Sequence, residues 1–530
     1  MPTLTIDGQQ ITVPAGTTVI QAAEKLGIFV PRYCYHPGLS IAGNCRICLV
    51  EIEKAPKLQI ACNTPVTDGM VVHTNSEKVN QGRQSVLEFL LINHPLDCPV
   101  CDQSGECDLQ NFYMQYGLYD PRFKEQKVKK AKAVPLGPTV MLDAERCILC
   151  SRCVRFTDEI SKTGELGIFN RGDQSEIGLY PGKELNNKYS GNVVDVCPVG
   201  ALTDRDFRFK ARVWYLSSSP SVCNGCSQGC NIDFHYVLDR PHLAGGARVM
   251  RVKPRYNADV NQWWMCDEGR YGFQFIDQDR LRQVQHRGVE IDWEKALTGL
   301  AGVLGRLKAE NRQGQVGVIP SAQLTTEELY LVRKLFVDSL GVTQCDIRVP
   351  AAPGTSDNFL IKADKNPNTA GAVLVGLAGN GSSDASEIIQ KGLSGQIKVL
   401  WVFGHDLVKL FGEEKVQRLA KGLDLFVFQG SNENGTSRYA HWVLPSAVYA
   451  EKDGTFVNCH GRVQRIVKAF EPIQNSRSDW QILFELFQRL EIPVPWKGPE
   501  EVFASMGETV PAFAGLTYEQ LGLHGSTDSP

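Results

Sequence analysis

Sixteen residues stand in four short groups whose types and spacing suit metal chemistry. Cys34, Cys45, Cys48 and Cys62 read C-x10-C-x2-C-x13-C. His94, Cys98, Cys101 and Cys107 read H-x3-C-x2-C-x5-C. Cys147, Cys150 and Cys153 form a C-x2-C-x2-C triplet, with Cys197 following far downstream as Cys-Pro. Cys223, Cys226, Cys230 and Cys266 read C-x2-C-x3-C-x35-C. Fifteen of the 17 cysteines fall into these groups, and His94 completes the sixteenth place, so four sets of four are formed with no ligand left over.

A disulfide framework of this density belongs to small secreted domains. The N-terminus, Met1-Pro-Thr-Leu-Thr-Ile-Asp-Gly, has neither the basic region nor the apolar run of an export signal. The spacings therefore point to metal held in a reducing compartment. Four cysteines, or three and a histidine, also suit zinc. The triplet with a remote Cys-Pro is the pattern of a four-iron cubane, and the first group follows the plant-type two-iron pattern with a longer first gap. Four neighbouring redox groups make an electron wire, a use that four neighbouring zinc ions would not have. Iron–sulfur ligation is the reading, with a zinc-bound structural scaffold as the competing one. Neutral His94 in place of a thiolate makes its ligand set less negative by one charge, and that contribution alone favours reduction.

The elements that must position these groups are legible in outline. Residues 3–13 alternate on both sides of Asp7-Gly8, a hairpin turn pair. Thr17 or Thr18 can cap a helix running through Lys25, and Gly27 can end it. With a strand over 47–52, residues 1–75 read as a β-grasp [2Fe–2S] ferredoxin domain. A helix over 77–93 leads to His94 and the segment that carries the second ligand group, 76–115. Residues 124–132 hold five lysines and read as a solvated linker rather than a docking strip. A ferredoxin-like [4Fe–4S] unit follows over 140–210. Because Val154-Arg155-Phe156 follows its triplet without a nearby fourth cysteine, one cluster is expected there, not two. Residues 213–275 carry the fourth group.

Beyond residue 280 the pattern becomes α/β. Apolar runs at 316–320, 372–377, 398–403 and 425–428 read as buried parallel strands, alternating with helices such as 326–340. Gly376-Leu-Ala-Gly-Asn-Gly381 is not a dinucleotide fingerprint, and no P-loop appears. Cys345 and Cys459 read as buried structural cysteines. The tail, 525–530, reads as disordered. The fold class expected is α+β and α/β multidomain. Net charge of −3, from 56 basic and 59 acidic residues, excludes binding to nucleic acid through bulk charge. No apolar window reaches the ~18 residues of a membrane helix.

Several stretches carry a family resemblance. They are Cys34-Tyr-His-Pro, Gly43-Asn-Cys-Arg-Ile-Cys-Leu-Val-Glu-Ile, His94-Pro-Leu-Asp-Cys-Pro-Val-Cys-Asp-Gln-Ser-Gly-Glu-Cys, Arg146-Cys-Ile-Leu-Cys-Ser-Arg-Cys and Val196-Cys-Pro-Val-Gly-Ala-Leu-Thr. The chain resembles the large iron–sulfur subunit, the G subunit, of respiratory complex I, NADH:quinone oxidoreductase. The resemblance implies one [2Fe–2S] cluster on the first group and three [4Fe–4S] clusters on the others. It implies a relay of single electrons from a flavin-bearing NADH-oxidising subunit toward quinone. Other iron–sulfur subunits of the peripheral arm would be partners, and attachment to the cytoplasmic side of the inner membrane would be indirect. No substrate site of the chain's own is expected. The same N-terminal plan occurs in soluble NAD-linked hydrogenases and formate dehydrogenases, which is the alternative assembly.

The second half is similar to the molybdopterin oxidoreductase superfamily, through Asp364-Lys-Asn-Pro-Asn-Thr and Val443-Leu-Pro-Ser-Ala-Val-Tyr-Ala-Glu-Lys-Asp-Gly-Thr-Phe-Val-Asn. That likeness implies a cysteine or selenocysteine ligand to molybdenum near 345–353, where Pro350 stands instead. Those enzymes place a lysine two residues after the last cluster cysteine, and this chain has Glu268. Residues 280–530 are therefore expected to be a shortened α/β scaffold without molybdopterin.

Overall fold

The computed structural model describes the chain except for residues 118–119, 121, 351–353, 379–383 and 528–530. It divides into two compact units, 1–216 and 217–530.

The first unit opens with a mixed five-stranded sheet in the order Gln9–Thr12, Thr3–Ile6, Met70–His73, Leu49–Ile52, Gln59–Ile60. Thr3–Ile6 and Met70–His73 run parallel, and the other pairs run antiparallel. The turn at Asp7 and Gly8 has φ of 45° and 83°, the left-handed pair that a tight hairpin requires. Helix Val19–Lys25 begins at Thr18, whose backbone N–H donates to the Gln21 side chain at 3.0 Å. Its Val19, Ile20, Ala22 and Ala23 join Leu4, Ile6, Val50 and Val72 in one core.

Helix Glu77–Leu91 starts at the Ser76 cap. Its last carbonyls are held by Lys127, whose Nζ donates to Leu91 O at 2.7 Å and Ile92 O at 2.8 Å. Lys130 reaches the carbonyl of Ser175, and Lys132 pairs with Asp97 and Glu145. The lysine-rich segment is thus solvated along much of its length, with Lys124, Lys129 and Lys132 exposed, but it is also pinned, because Lys127, Lys130 and Lys132 find acceptors far away in sequence. Helix Asp108–Tyr116 begins immediately after Cys107. Beyond it lie a small sheet of Val134–Pro135, Val140–Leu142 and Leu202–Asp204, and a hairpin of Leu166–Phe169 with Glu176–Leu179. The Gly- and Asn-containing insertion between Cys153 and Cys197 carries that hairpin.

The second unit begins with an antiparallel sheet of Ser217–Val222, Asn231–Tyr236 and Val249–Pro254. Its main sheet has seven strands, in the order Val289–Glu290, Gln285–His286, Trp442–Pro445, Leu425–Gly430, Val399–Phe403, Val316–Ile319, Gln344–Cys345. The last five run parallel. Every residue of Val316–Ile319, Val399–Phe403 and Leu425–Gly430 is buried, as both faces of a covered parallel sheet demand.

Three expectations change here. The apolar run at 372–377 is not a strand: helix Thr369–Leu374 occupies it, burying Gly371 and Ala372 while Val373 stays exposed. The helix expected over 326–340 is α-helical only through Thr326–Val332 and continues as a π-helix, Arg333–Ser339. The tail is ordered as far as Ser526, which pairs with Val463. Residues 379–381 of the glycine-rich stretch lie outside the described residues. Among the described residues no helix is long and apolar enough to cross a membrane.

Candidate metal centres

In the first group, the loop between helix Val19–Lys25 and strand Leu49–Ile52 brings Cys34, Cys45 and Cys48 together, and Cys62 follows the strand Gln59–Ile60. Cys34 lies within hydrogen-bond reach of Cys45 and Cys62, and Cys48 within reach of Cys62. These contacts pull the Cys34 thiol well down and push Cys45 and Cys62 up. The Cys34 N–H donates to Cys45 Sγ at 3.4 Å.

His94, Cys98, Cys101 and Cys107 line one cavity of about 550 Å³, together with apolar residues of the two flanking helices such as Leu87, Leu91 and Met114. His94 Nδ1 is buried with no hydrogen-bond partner. Burial holds the imidazole down to about 4, so it is neutral at pH 7 and able to ligate. Burial pushes Cys107 up to about 11. Gly200 is required beside this set, since a Cβ there would lie 2.3 Å from Cys101 Sγ.

Cys147, Cys150, Cys153 and Cys197 ring a second small cavity walled by Leu142, Ile177 and Val199. The short helix Arg152–Arg155 follows Ser151, which is left-handed at φ 61°. Burial pushes Cys147 to about 12 and Cys150 to about 11. Cys223, Cys226, Cys230 and Cys266 ring a third, with Gly225, Gly229, Gly269 and Leu360. A Cβ on Gly269 would lie 2.9 Å from Cys223 Sγ. Backbone N–H groups of Leu149, Gly225 and Gly269 donate to Cys147, Cys223 and Cys266 Sγ, each at 3.4 Å.

The donor sets fit iron–sulfur clusters. Each set brings four soft or borderline ligands together, around a cavity in groups two to four, and all are buried or half-buried except the exposed Cys98. Among the described residues no three His, Cys, Asp or Glu side chains converge as a site for a single ion. In groups two to four the ligands line cavities rather than meet at a point.

Four side chains bind the ligand loops of the first unit to one another. Arg155 donates to the carbonyls of Cys34 and Cys150, and Arg152 to those of Tyr35 and Val196. Asn44 donates to Leu149 O at 3.2 Å, and Arg146 pairs with Asp97 at 2.7 Å. Sequence reasoning passed over all four. Their only signal was position, beside or between ligands.

The pterin likeness meets a different arrangement. Pro350 offers no donor. Cys345 is buried on the outermost strand of the main sheet, its thiol pushed up by burial. Glu268 pairs with Lys365 at 2.7 Å. Within the second motif, Lys452 is buried against Glu328 at 2.7 Å and Asp479 at 3.1 Å, and Glu451 against Arg280 at 2.7 Å. These charges are satisfied internally. Cys459 is exposed, not buried as expected: it sits at the surface end of the Gly454–Val457 hairpin, its N–H bonded to Ser227 O at 2.8 Å.

A β-grasp module followed by three further thiol sets, the last on an oxidoreductase-type α/β scaffold, defines a multi-cluster iron–sulfur oxidoreductase component. Family models agree along the chain. They are a 2Fe-2S iron-sulfur cluster binding domain at 1–77, the NADH-ubiquinone oxidoreductase-G iron-sulfur binding region at 83–122 and the NADH-quinone oxidoreductase subunit 3 ferredoxin-like domain at 137–203. The molybdopterin oxidoreductase Fe4S4 domain matches 216–278, and molybdopterin oxidoreductase matches 365–489. The 78 kDa subunit of mitochondrial NADH-ubiquinone oxidoreductase from Candida albicans is 31% identical across 96% of this chain and 85% of its own length. The G subunit of NADH-quinone oxidoreductase from Rickettsia bellii is 30% identical across 97% of this chain and 90% of its own. The chain belongs to this family, that of the G subunit of NADH-quinone oxidoreductase and its mitochondrial 78 kDa counterpart. The alignment with the Candida relative runs over 624 positions against 530 residues here, so that relative carries segments this chain lacks.

Proposed function

We propose that the chain is the electron-relay subunit of an NADH:quinone oxidoreductase, taking single electrons from a flavin-bearing NADH-oxidising subunit and passing them toward quinone. The observation that carries this reading is the gathering of sixteen candidate ligands into four separate sets in a member of the G subunit family. One [2Fe–2S] cluster on Cys34, Cys45, Cys48 and Cys62 and three [4Fe–4S] clusters on the other sets supply one-electron transfer. The chain's own contribution is to hold the ligands, shield all but Cys98 from water and aim N–H groups at sulfur, which sets the potentials. The domain limits given above divide the chain by cluster, and residues 280–530 serve as scaffold without molybdopterin.

The donor and acceptor are other subunits of the peripheral arm, so membrane attachment is indirect, on the cytoplasmic side. The test is purification of the intact assembly through this chain. The NADH-oxidising flavoprotein and quinone-side membrane subunits should co-purify, and NADH should reduce the chain's clusters. Recovery of a hydrogenase or formate dehydrogenase partner instead would overturn the reading in favour of the soluble assembly.

A further inference from the structure

Tyr33 immediately precedes the first ligand of the first group, and its side chain packs in a core that Cys107 of the second group also joins. It is fully buried. Its ring packs on Phe112, with centroids 5.2 Å apart and planes at 48°. Phe112 lies on helix Asp108–Tyr116, one turn after Asp108 on the same face, and Cys107 caps that helix. Tyr33, Cys34, Cys45, Cys107 and Phe112 all meet in one core cluster.

The Tyr33 hydroxyl has no hydrogen-bond partner among the described residues. Leaving a buried hydroxyl unpaired costs about 1–3 kcal/mol, and native cores rarely tolerate that. Cys107 of the second set and Cys45 of the first both pack against the core that holds the Tyr33 ring, and the ring's aromatic partner Phe112 lies on the helix that Cys107 caps. Tyr33 is thus a buried, unpaired O–H donor in a core shared with Cys45 and Cys107, whose sulfurs carry negative charge when they hold metal. Asp108 takes no proton from it in the structure.

We propose that the Tyr33 hydroxyl donates an O–H···S hydrogen bond to the second ligand set, at Cys107 or the cluster sulfide beside it, so that the first ligand loop tunes the potential of the second cluster. This rests on the reading of His94, Cys98, Cys101 and Cys107 as a cluster site. A hydrogen bond to sulfur stabilises the reduced, more negative state and raises the potential. Tyr33 is a tuning residue, not a ligand.

The test uses the assembled complex carrying Tyr33→Phe. Iron and sulfide content should match wild type. The midpoint of the second cluster, followed by paramagnetic resonance during a redox titration, should shift negative while that of the first stays in place. One exchangeable deuteron coupling on the second cluster should disappear. Replacing Tyr33 with 3-fluorotyrosine keeps the ring and makes the hydroxyl a stronger donor, so it should shift the same midpoint positive. An unmoved second midpoint, a shift confined to the first cluster, or a 3-fluorotyrosine shift of the wrong sign would each overturn the proposal. Absence of iron from the second set in wild type would instead overturn the cluster reading beneath it.

Discussion

The Arg155 guanidinium donates to the carbonyl of Cys34 at 2.5 Å, across 121 positions of sequence. The same nitrogen reaches Cys150 O at 3.3 Å. One side chain thus ties the first ligand loop to the third, and it does so through backbone, leaving the sulfurs free to ligate. Hydrogen bonds from a charged donor are the stronger kind. Arg155→Ala should lower the stability of the first unit by about 2 kcal/mol, the scale of charged hydrogen bonds lost with carbonyls left unpaired. The urea midpoint for loss of cluster absorbance reads this directly. A midpoint equal to wild type would mean the two loops are held by other contacts.

Much of this arrangement was legible in the sequence, and the reasons differ by element. Ligand spacing survives in sequence because Cys147, Cys150 and Cys153 face one cavity through local backbone alone. The strands Val316–Ile319 and Val399–Phe403 declared themselves by β-branched, fully buried runs. The run at 372–377 has the same look, but a short apolar run does not distinguish strand from helix. Both sides of Val316–Ile319 are already taken by Gln344–Cys345 and Val399–Phe403, so it had no place there. The anchoring of Lys127 and Lys132 was not legible because their acceptors, Leu91 O, Ile92 O, Asp97 and Glu145, come together only in the fold. Arg155 and Tyr33 gave no signal for the same reason.

Iron and acid-labile sulfide should assay at about 14 irons per chain, from one two-iron and three four-iron clusters. Stoichiometric zinc with little sulfide would replace the relay with a structural scaffold.

Molybdenum and tungsten should be absent from the purified chain. Pro350 cannot ligate, and Lys452 and Glu451 are already neutralised by buried partners. Stoichiometric pterin and metal recovered with the chain would show this to be wrong.

Glu327 gives the second unit a pH signature. Its carboxylate accepts from Thr455 N at 2.8 Å, Thr455 Oγ1 at 3.0 Å and the Tyr518 hydroxyl at 2.9 Å, yet burial outweighs these bonds and raises it to about 7. A carboxyl raised on folding binds protons more tightly in the native state. Its contribution is therefore complete below its unfolded value of 4.5 and is lost as pH rises to about 7. At about 1.36 kcal/mol per unit, that amounts to roughly 3 kcal/mol. Glu327→Gln should remove this slope between pH 4.5 and 7. Parallel stability profiles for variant and wild type would refute it.

The last prediction separates the third cluster from the fourth. The fourth ligand set is built into the scaffold of the second unit: Ser227 N donates to Asp364 O, and Cys459 N to Ser227 O. Nearby, Asn231 and Gln464 are bonded to each other and to the Gly229 loop and the tail at Leu523. A metal site knitted into so many segments would contribute folding energy, and a scaffold without molybdopterin, as proposed above, would offer no terminus for electrons. Cys226→Ala should therefore weaken the second unit or its assembly, while NADH-driven turnover per intact complex stays near wild type. Cys150 stands instead in the core shared by the first three sets, and Cys150→Ala should abolish turnover. Turnover normalised to intact complex, with cluster content followed by paramagnetic resonance, distinguishes the two. A Cys226→Ala complex that assembles fully, keeps its other three clusters and still loses turnover would place the fourth cluster on the electron path.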